Sequence, residues 1–367
     1  MLREKPLILF ETVRRLLRRG ASVNLKNVFK KTHSADIAAI LRHLSVKERS
    51  SLFDLLEDPE RAAEVLSETD AEVRIEIIEG MTVERTVEIL RAMSADDEAD
   101  IIGSLPEDLS ASILDFMKEE DHEEVEELLK YDEDTAGGIM TPDYFALPGE
   151  TTVAEAIAAL QKETEAEMVF YIYVVDDPGH LIGVLSLRQL LMNPPEALLL
   201  DIVVKDVLSV RTDMDQEEVA RIVARYNILA VPVVDEMNML VGIVTVDDVI
   251  DVIREEATED ILKMAGATDD DALSRSTIKR ARTRLPWLFA AFFGGLVAIE
   301  IIKSFEETLN RAWYLAAFIP IILGMGGNIG NQSLAMIIRG LATGRVDLRE
   351  TWKLILKETW VGMSLGL

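Results

Sequence analysis

Across 367 residues the chain carries 38 Lys and Arg against 66 Asp and Glu, a net charge of −28, with 49% hydrophobic residues and no cysteine. That charge excludes nucleic acid as a partner for the bulk of the chain and favours cations, and the missing cysteines exclude disulfides and thiolate metal sites. The imbalance is uneven: residues 273–367 hold 12 basic and 6 acidic residues, which leaves 26 basic against 60 acidic in residues 1–272. The four histidines, His33, His43, His122 and His180, stand apart without metal-ligand spacing.

Residues 1–34 open with a basic amphipathic stretch, Val13, Leu16 and Leu17 set against Arg14, Arg15, Arg18 and Arg19. Its apolar run, residues 6–10, is too short for a signal peptide. Two readings fit: a helix packed on its neighbours, or one touching a membrane surface. Residues 35–133 repeat at a period of roughly 24, Ile77-Ile78 recurring as Ile101-Ile102 and Ile89-Leu90 as Ile113-Leu114. Helical spacing within each unit and Asp, Ser or Pro at the joins predict an all-α stack of short helices. Asp96, Asp97 and Asp100 gather at one join, either as a solvated helix start complementing the dipole or as a cation-bridged contact.

Glycines and a proline in residues 134–142 mark a boundary. Two like halves follow, residues 134–203 and 204–252. Each has a helix (153–162, 216–226), two short buried strands (171–176 and 181–187, 230–235 and 240–246) and a further helix. This α/β duplication resembles a tandem pair of CBS domains. Members often bind adenine nucleotides through a Ser or Thr and an Asp three residues later. The second half keeps Thr245 and Asp248, whereas the first has Ser186 followed by Gln189. Thr245 serves equally well as a helix cap.

A connecting helix is predicted over residues 253–274, continuous in character with the acids before it. At about 100° per residue, Asp248, Asp251, Glu255 and Glu259 fall within an arc of roughly 80°, opposite Ile250, Ile253, Ala257, Ile261 and Met264. Glu256, Asp260 and Asp269-Asp270-Asp271 extend the field, and Arg254 is the only cation between Val246 and Ile261. Like charges at this spacing destabilise a helix, and Mg²⁺, which takes one or two carboxylates and fills its octahedron with water, is the natural neutraliser.

Residues 286–303, with Glu300 near one end, and 313–338, without a charge, are predicted membrane helices. The nine-residue connection 303–311 predicts a tight turn between them. Cations before the first (Lys279, Arg280, Arg282, Arg284) and after the second (Arg339, Arg345, Arg349, Lys353) orient both flanks to the cytoplasm, with residues 1 to about 285 cytoplasmic in an inner-membrane, multi-pass protein. Residues 354–367 begin a third span, and further membrane helices are expected beyond it. The polar seam Gly326-Gly327-Asn328-Ile329-Gly330-Asn331-Gln332 lies where hydrocarbon is expected, which makes Gly327, Asn328, Gly330, Asn331 and Gln332 candidate pore-lining residues.

Taken in order, the helical repeat, paired halves, acidic helix and Gly-Asn-Ile-Gly-Asn-Gln seam resemble the MgtE family of magnesium channels and transporters. The resemblance implies a homodimer in the bilayer with its pore at the dimer axis and a connecting helix acting as a plug. It also implies regulatory Mg²⁺ at Asp97, Asp100, Asp248, Asp251, Glu255, Glu256, Glu259 and Asp260, closing the pore when internal Mg²⁺ is high. It implies no enzymatic activity, and an essential pore acid in a later membrane helix. ATP at the paired halves stays open, as does the alternative of a membrane-tethered adenine-nucleotide sensor without transport.

Overall fold

Short helices fill the first third of the chain, several begun by a Ser, Thr or Asp (Ser45, Asp58, Asp70, Thr82, Ser94) and each too short to persist without neighbours. In the computed structural model, which describes residues 4–163, 169–264, 277–342 and 351–366, they are α1 (Glu4–Arg18), α2 (Ser22–Phe29), α3 (Ser34–Arg42), α4 (Val46–Phe53), α5 (Pro59–Ser67), α6 (Ala71–Ile78), α7 (Val83–Leu90), α8 (Ala95–Ser104), α9 (Glu107–Phe116) and α10 (Glu119–Leu128). The predicted period is visible in the starts of α5, α7 and α9 at Pro59, Val83 and Glu107. Helices pack on the next but one, α3 on α5, α5 on α7, α7 on α9, and likewise α4, α6, α8 and α10. Ile77, Ile78, Ile89, Leu90, Ile101, Ile102 and Ile113 form the shared core. Arginines tie the layers: Arg49 donates to the carbonyls of Leu41 and Arg42 at 2.9 and 3.0 Å, and Arg85 to that of Leu56 at 2.8 Å. A cation at these helix ends satisfies orphan carbonyls and the helix dipole together.

The two halves that follow are built alike. The first comprises β1 (Ala146–Pro148), α11 (Val153–Leu160), β2 (Tyr171–Val175), β3 (Leu181–Ser186), α12 (Leu187–Met192) and α13 (Leu199–Ile202). The second comprises β4 (Val210–Arg211), α14 (Gln216–Tyr226), β5 (Ala230–Val234), β6 (Leu240–Thr245) and the start of α15 (Val246–Met264). Each sheet has a parallel pair followed by an antiparallel one, β1-β2-β3 and β4-β5-β6, with a bulge at the same place, Val174/Val175 and Val233/Val234. Gly183 and Gly242 sit where another backbone crosses the sheet. A Cβ on Gly183 would stand 2.6 Å from the Val204 carbonyl, and one on Gly242 would stand 2.7 Å from Met140 Sδ. The halves join at their hairpin turns, the Leu181 amide donating to Asn238 O and the Leu240 amide to Gly179 O, both at 3.2 Å.

The boundary segment 134–142 is threaded onto the second half. Ala136 and Gly137 donate to the carbonyls of Met214 and Thr212 at 2.7 and 2.9 Å, and Thr141 pairs with Ile243 beside β6. This threading belongs to the first of two compact units, Met1–Ile250 and Asp251–Leu367.

In the second unit, α16 (Thr277–Ser304) contains Pro286, and α17 (Glu306–Arg311) occupies the connection for which a bare turn is predicted. A 3₁₀ helix, Trp313–Phe318, precedes α18 (Ile319–Ala342), and α19 (Thr351–Gly366) follows. The predicted single span over 313–338 therefore changes helix type at Ile319, immediately before Pro320, whose missing N–H is harmless in a first helical turn. Two stretches are long and apolar enough to cross a membrane, Arg284–Ser304 and Trp313–Gly340, with mean hydropathies of 2.0 and 1.4. The predicted acids Asp269–Asp271 and the end of the connecting helix lie outside the described residues.

Candidate cation site

Two helix starts carry the acids of the first unit. The first turn of α8 presents Asp96, Asp97 and Glu98, and the first turn of α15 presents Asp247 and Asp248. Each start is stabilised locally by the positive end of its own helix. Because the chain after α10 runs back along β6, the two starts come near one another. Asp248 feels the charges of Asp96 and Asp97, and Asp100 feels those of Asp96, Asp97 and Glu133.

Burial and these fields disfavour ionisation. Asp248 is pushed up to about 7 by desolvation and then by Asp96, against the donated hydrogen bond of Thr245. Desolvation and the same neighbours raise Asp100 to about 7, although its outer edge meets solvent. Asp96 rises to about 6 through burial; it is 7% exposed, and its Oδ1 has no hydrogen-bond partner. Asp97 is held in place by the Ser67 hydroxyl, which donates to its Oδ2 at 2.7 Å. A buried unpaired oxygen among carboxylates costs free energy until a proton or a cation arrives.

Among the described residues no three His, Cys, Asp or Glu side chains are grouped closely enough to hold a metal ion directly. A hydrated Mg²⁺ does not need three, since one or two carboxylates and water complete its shell. One or two of these carboxylates, Asp96 foremost through its partnerless Oδ1, could therefore serve a hydrated Mg²⁺.

The predicted residues divide at this point. Asp97, Asp100 and Asp248 are brought together, and burial adds Asp96, which carbonyl-free sequence spacing alone did not separate from a solvated helix start. Asp251, Glu255, Glu256, Glu259 and Asp260 stand further along α15, in the second unit. There Asp251 pairs with Arg254 at 3.0 Å and Glu259 with Lys263 at 2.5 Å. The apolar face predicted for this helix is exposed in the single chain, Ile250 by 52% and Ile261 by 66%, whereas Val249 and Val252 are its buried residues. The wheel identified an apolar stripe correctly but not which residues the chain itself covers.

The nucleotide expectation at Thr245 and Asp248 falls on a buried step. Thr245 is 1% exposed, and its hydroxyl donates to both Asp247 and Asp248. At the matching step of the first half, Ser186 forms a capping box with Gln189, its hydroxyl donating at 2.8 Å. The exposed Arg188 beside it supplies a cation that the second half lacks.

In the second unit, Gly327, Asn328, Gly330, Asn331 and Gln332 all lie within α18 and are exposed in the single chain. A contact not foreseen from sequence joins α18 to α19: the Ser333 hydroxyl donates to Glu358 Oε2 at 2.7 Å. A glutamate in an apolar run was the available signal, masked by the neighbouring Lys353 and Lys357.

Comparison with known proteins follows the same divisions. The model of the MgtE intracellular N domain matches residues 32–134, the CBS domain model matches 136–195 and 199–255, and the MgtE divalent cation transporter model matches 319–367. The chain belongs to the MgtE family. It is 48% identical over 248 residues to the magnesium transporter MgtE of Thermus thermophilus, covering 66% of this chain and 55% of that one. It is 42% identical over 244 residues to that of Enterococcus faecalis, covering 66% and 54%. The chain thus spans about half the length of the curated relatives it matches. Two solved structures resemble it. One is the soluble part of a magnesium transporter, with a TM-score of 0.61 at 33% identity, covering 69% of this chain and 99% of that one. The other is the cytosolic domain of the Mg²⁺ channel MgtE in complex with ATP, with a TM-score of 0.63 at 40% identity, covering 66% and 99%. The helical domain and CBS pair of this MgtE-family chain agree with those structures, and its helices over residues 319–367 fall within the matched transporter model.

Proposed function

We propose that the chain works in Mg²⁺ transport across the cell membrane, with residues 1 to about 285 cytoplasmic and with Mg²⁺ at the α8–α15 junction setting its state. The observation that carries the reading is the buried, partnerless Oδ1 of Asp96 beside Asp97, Asp100 and Asp248. When Mg²⁺ is scarce, these ionised groups repel and favour separation of the two helix starts. When it is plentiful, a hydrated ion between them removes the repulsion and holds the closed arrangement.

Asp251, Glu255, Glu256, Glu259 and Asp260 extend the same response along α15. Gly327, Asn328, Gly330, Asn331 and Gln332 provide amides and bare backbone for a cation path. A homodimer accounts for the exposed isoleucine face of α15, which a second copy would cover. We assign no reaction to the chain, and the relatives it matches carry transporter names.

A second reading rests on the ATP complex of a relative: a nucleotide at the CBS pair modulates the same gate. In this chain its best seat is the first half, where Arg188 offsets phosphate charge. Limited proteolysis across a Mg²⁺ titration tests the main reading. Cleavage between α10 and β1 and within α15 should fall as Mg²⁺ rises; a pattern indifferent to Mg²⁺ but responsive to ATP would replace Mg²⁺ sensing with nucleotide sensing.

A further inference from the structure

The first 31 residues oppose the rest of the soluble chain in charge. They hold nine Lys and Arg against Glu4 and Glu11, whereas residues 32–272 hold 17 basic against 58 acidic residues. They also precede the matched family model, which begins at residue 32.

The structure resolves the two readings open for this segment by showing which side of it is already used. Val13, Leu25 and Phe29 are buried, and Phe10 meets His43 edge-on at 5.8 Å. The apolar side of α1 and α2 is thus spent on the stack. Lys26 is paired with Glu57, and Arg14 and Arg18 lie in the field of Glu48. Arg15 on α1, Arg19 just past its end, and Lys30 and Lys31 just past α2 are exposed and make no ion pair among the described residues, although Lys30 lies in the field of Glu57. Val23, 70% exposed, is the one large apolar side chain left outward on α2.

We propose that this arm docks on the anionic surface of the bilayer, through phosphate headgroups and without insertion. Insertion requires an apolar row facing outward, and among the arm's described side chains only Val23 is a large apolar group facing outward. Four exposed cations without an ion pair, gathered at the C-terminal ends of α1 and α2, suit a fluid sheet of phosphates, which adapts to them without a shaped groove. An acidic face on a second copy offers the same sign of charge, but the chain's own apolar spans hold the arm near lipid at high effective concentration. The body, so strongly negative, is repelled by the same leaflet, so attraction at the arm turns one side of the soluble unit toward it. The proposal rests on the membrane reading of those two helices and not on transport.

The absence of cysteine makes Val23→Cys a unique labelling site. The full chain, labelled there, is reconstituted in nanodiscs carrying a headgroup quencher, and only inserted protein is read, as judged by protease resistance of residues 284–340. Discs with anionic lipid should quench the label, purely zwitterionic discs should not, and added salt should abolish quenching. With about fivefold in partitioning from each cation near such a surface, replacing Arg15, Arg19, Lys30 and Lys31 by Gln should remove the signal. Arg15→Lys with Arg19→Lys should retain it, which guards against a misfolded variant. Inserted chains whose label ignores lipid charge, or whose quenching survives the four Gln replacements, overturn the proposal while leaving the membrane reading intact. Energy transfer between differently labelled copies in zwitterionic discs would assign the arm to a second copy and overturn it as well.

Discussion

Replacing Asp248 with Asn isolates the contribution of one buried charge to the Mg²⁺ response. The side chain keeps its shape and its hydrogen bond from Thr245 but can no longer ionise. Asp248 rises from 3.8 to about 7, and at about 1.4 kcal/mol per unit this corresponds to roughly 4 kcal/mol if fully expressed. Its partial exposure reduces the expectation to about 2 kcal/mol.

The sign follows from proton uptake. Below pH 3.8 both folded and unfolded chains hold the proton, and above about 7 neither does. Between these limits the folded state keeps a proton the unfolded state has lost, so metal-free stability falls as pH rises toward 7 and levels off beyond it. The wild-type soluble fragment ending at Met264 should therefore melt lower at pH 8 than at pH 5 without Mg²⁺. Asp248→Asn should raise the pH 8 midpoint by about 4–8 °C, at a few degrees per kcal/mol for a chain of this size, with little change at pH 5. Added Mg²⁺ should lift the wild type at pH 8 and move the variant much less. A variant with the wild-type pH slope and the full Mg²⁺ shift would refute both the cluster and its role.

Gly242→Ala should destabilise the second half by about 1–3 kcal/mol, since its Cβ would meet Met140 and the Thr141 carbonyl; urea unfolding checks this, and an unchanged midpoint removes the close crossing from the account. Arg188→Gln should weaken ATP binding measured by calorimetry, whereas Thr245→Ala should not; the opposite ranking would restore the second half as the nucleotide seat. In the complete protein, Asn331→Leu should abolish Mg²⁺ uptake, and normal uptake would withdraw the pore assignment. Glu358→Ala in the same assay should reduce uptake if the Ser333 contact positions α18, and a silent substitution would make that contact packing alone.

What could be read from the sequence depended on the range of the interactions. The repeat of α5, α7 and α9 and the two strand pairs were legible because each is governed by local periodicity and by turns beside it. The gathering of Asp96 with Asp248 was not, because it depends on the backbone pairing of residues 134–142 with the second half, and no spacing records how far a chain folds back. The isoleucine face of α15 was legible, but its exposure in the single chain was not. Periodicity reports that a face is apolar but not whether its cover comes from the same chain. The Thr245–Asp248 pair was legible as a pattern, but the burial of Thr245 and the second carboxylate, Asp247, on its hydroxyl were not.

The junction also accounts for why several weak ions suit this task better than one tight ion. Driving a two-state element from 1:99 to 99:1 takes about 5.5 kcal/mol of differential binding. One ion at a hundred times its dissociation constant contributes about 2.7 kcal/mol, so two such sites suffice and one falls short. In the proposed reading the α8–α15 cluster would be one, and the acids from Asp251 to Asp260 would supply a second. Because both sites fill as the ion rises and both favour the same state, their combined response is steeper than that of one site and reverses when the ion is withdrawn. Removing either site should therefore flatten the Mg²⁺ dependence of protease protection rather than shift it intact. A parallel shift with unchanged steepness would mean that a single site sets the state.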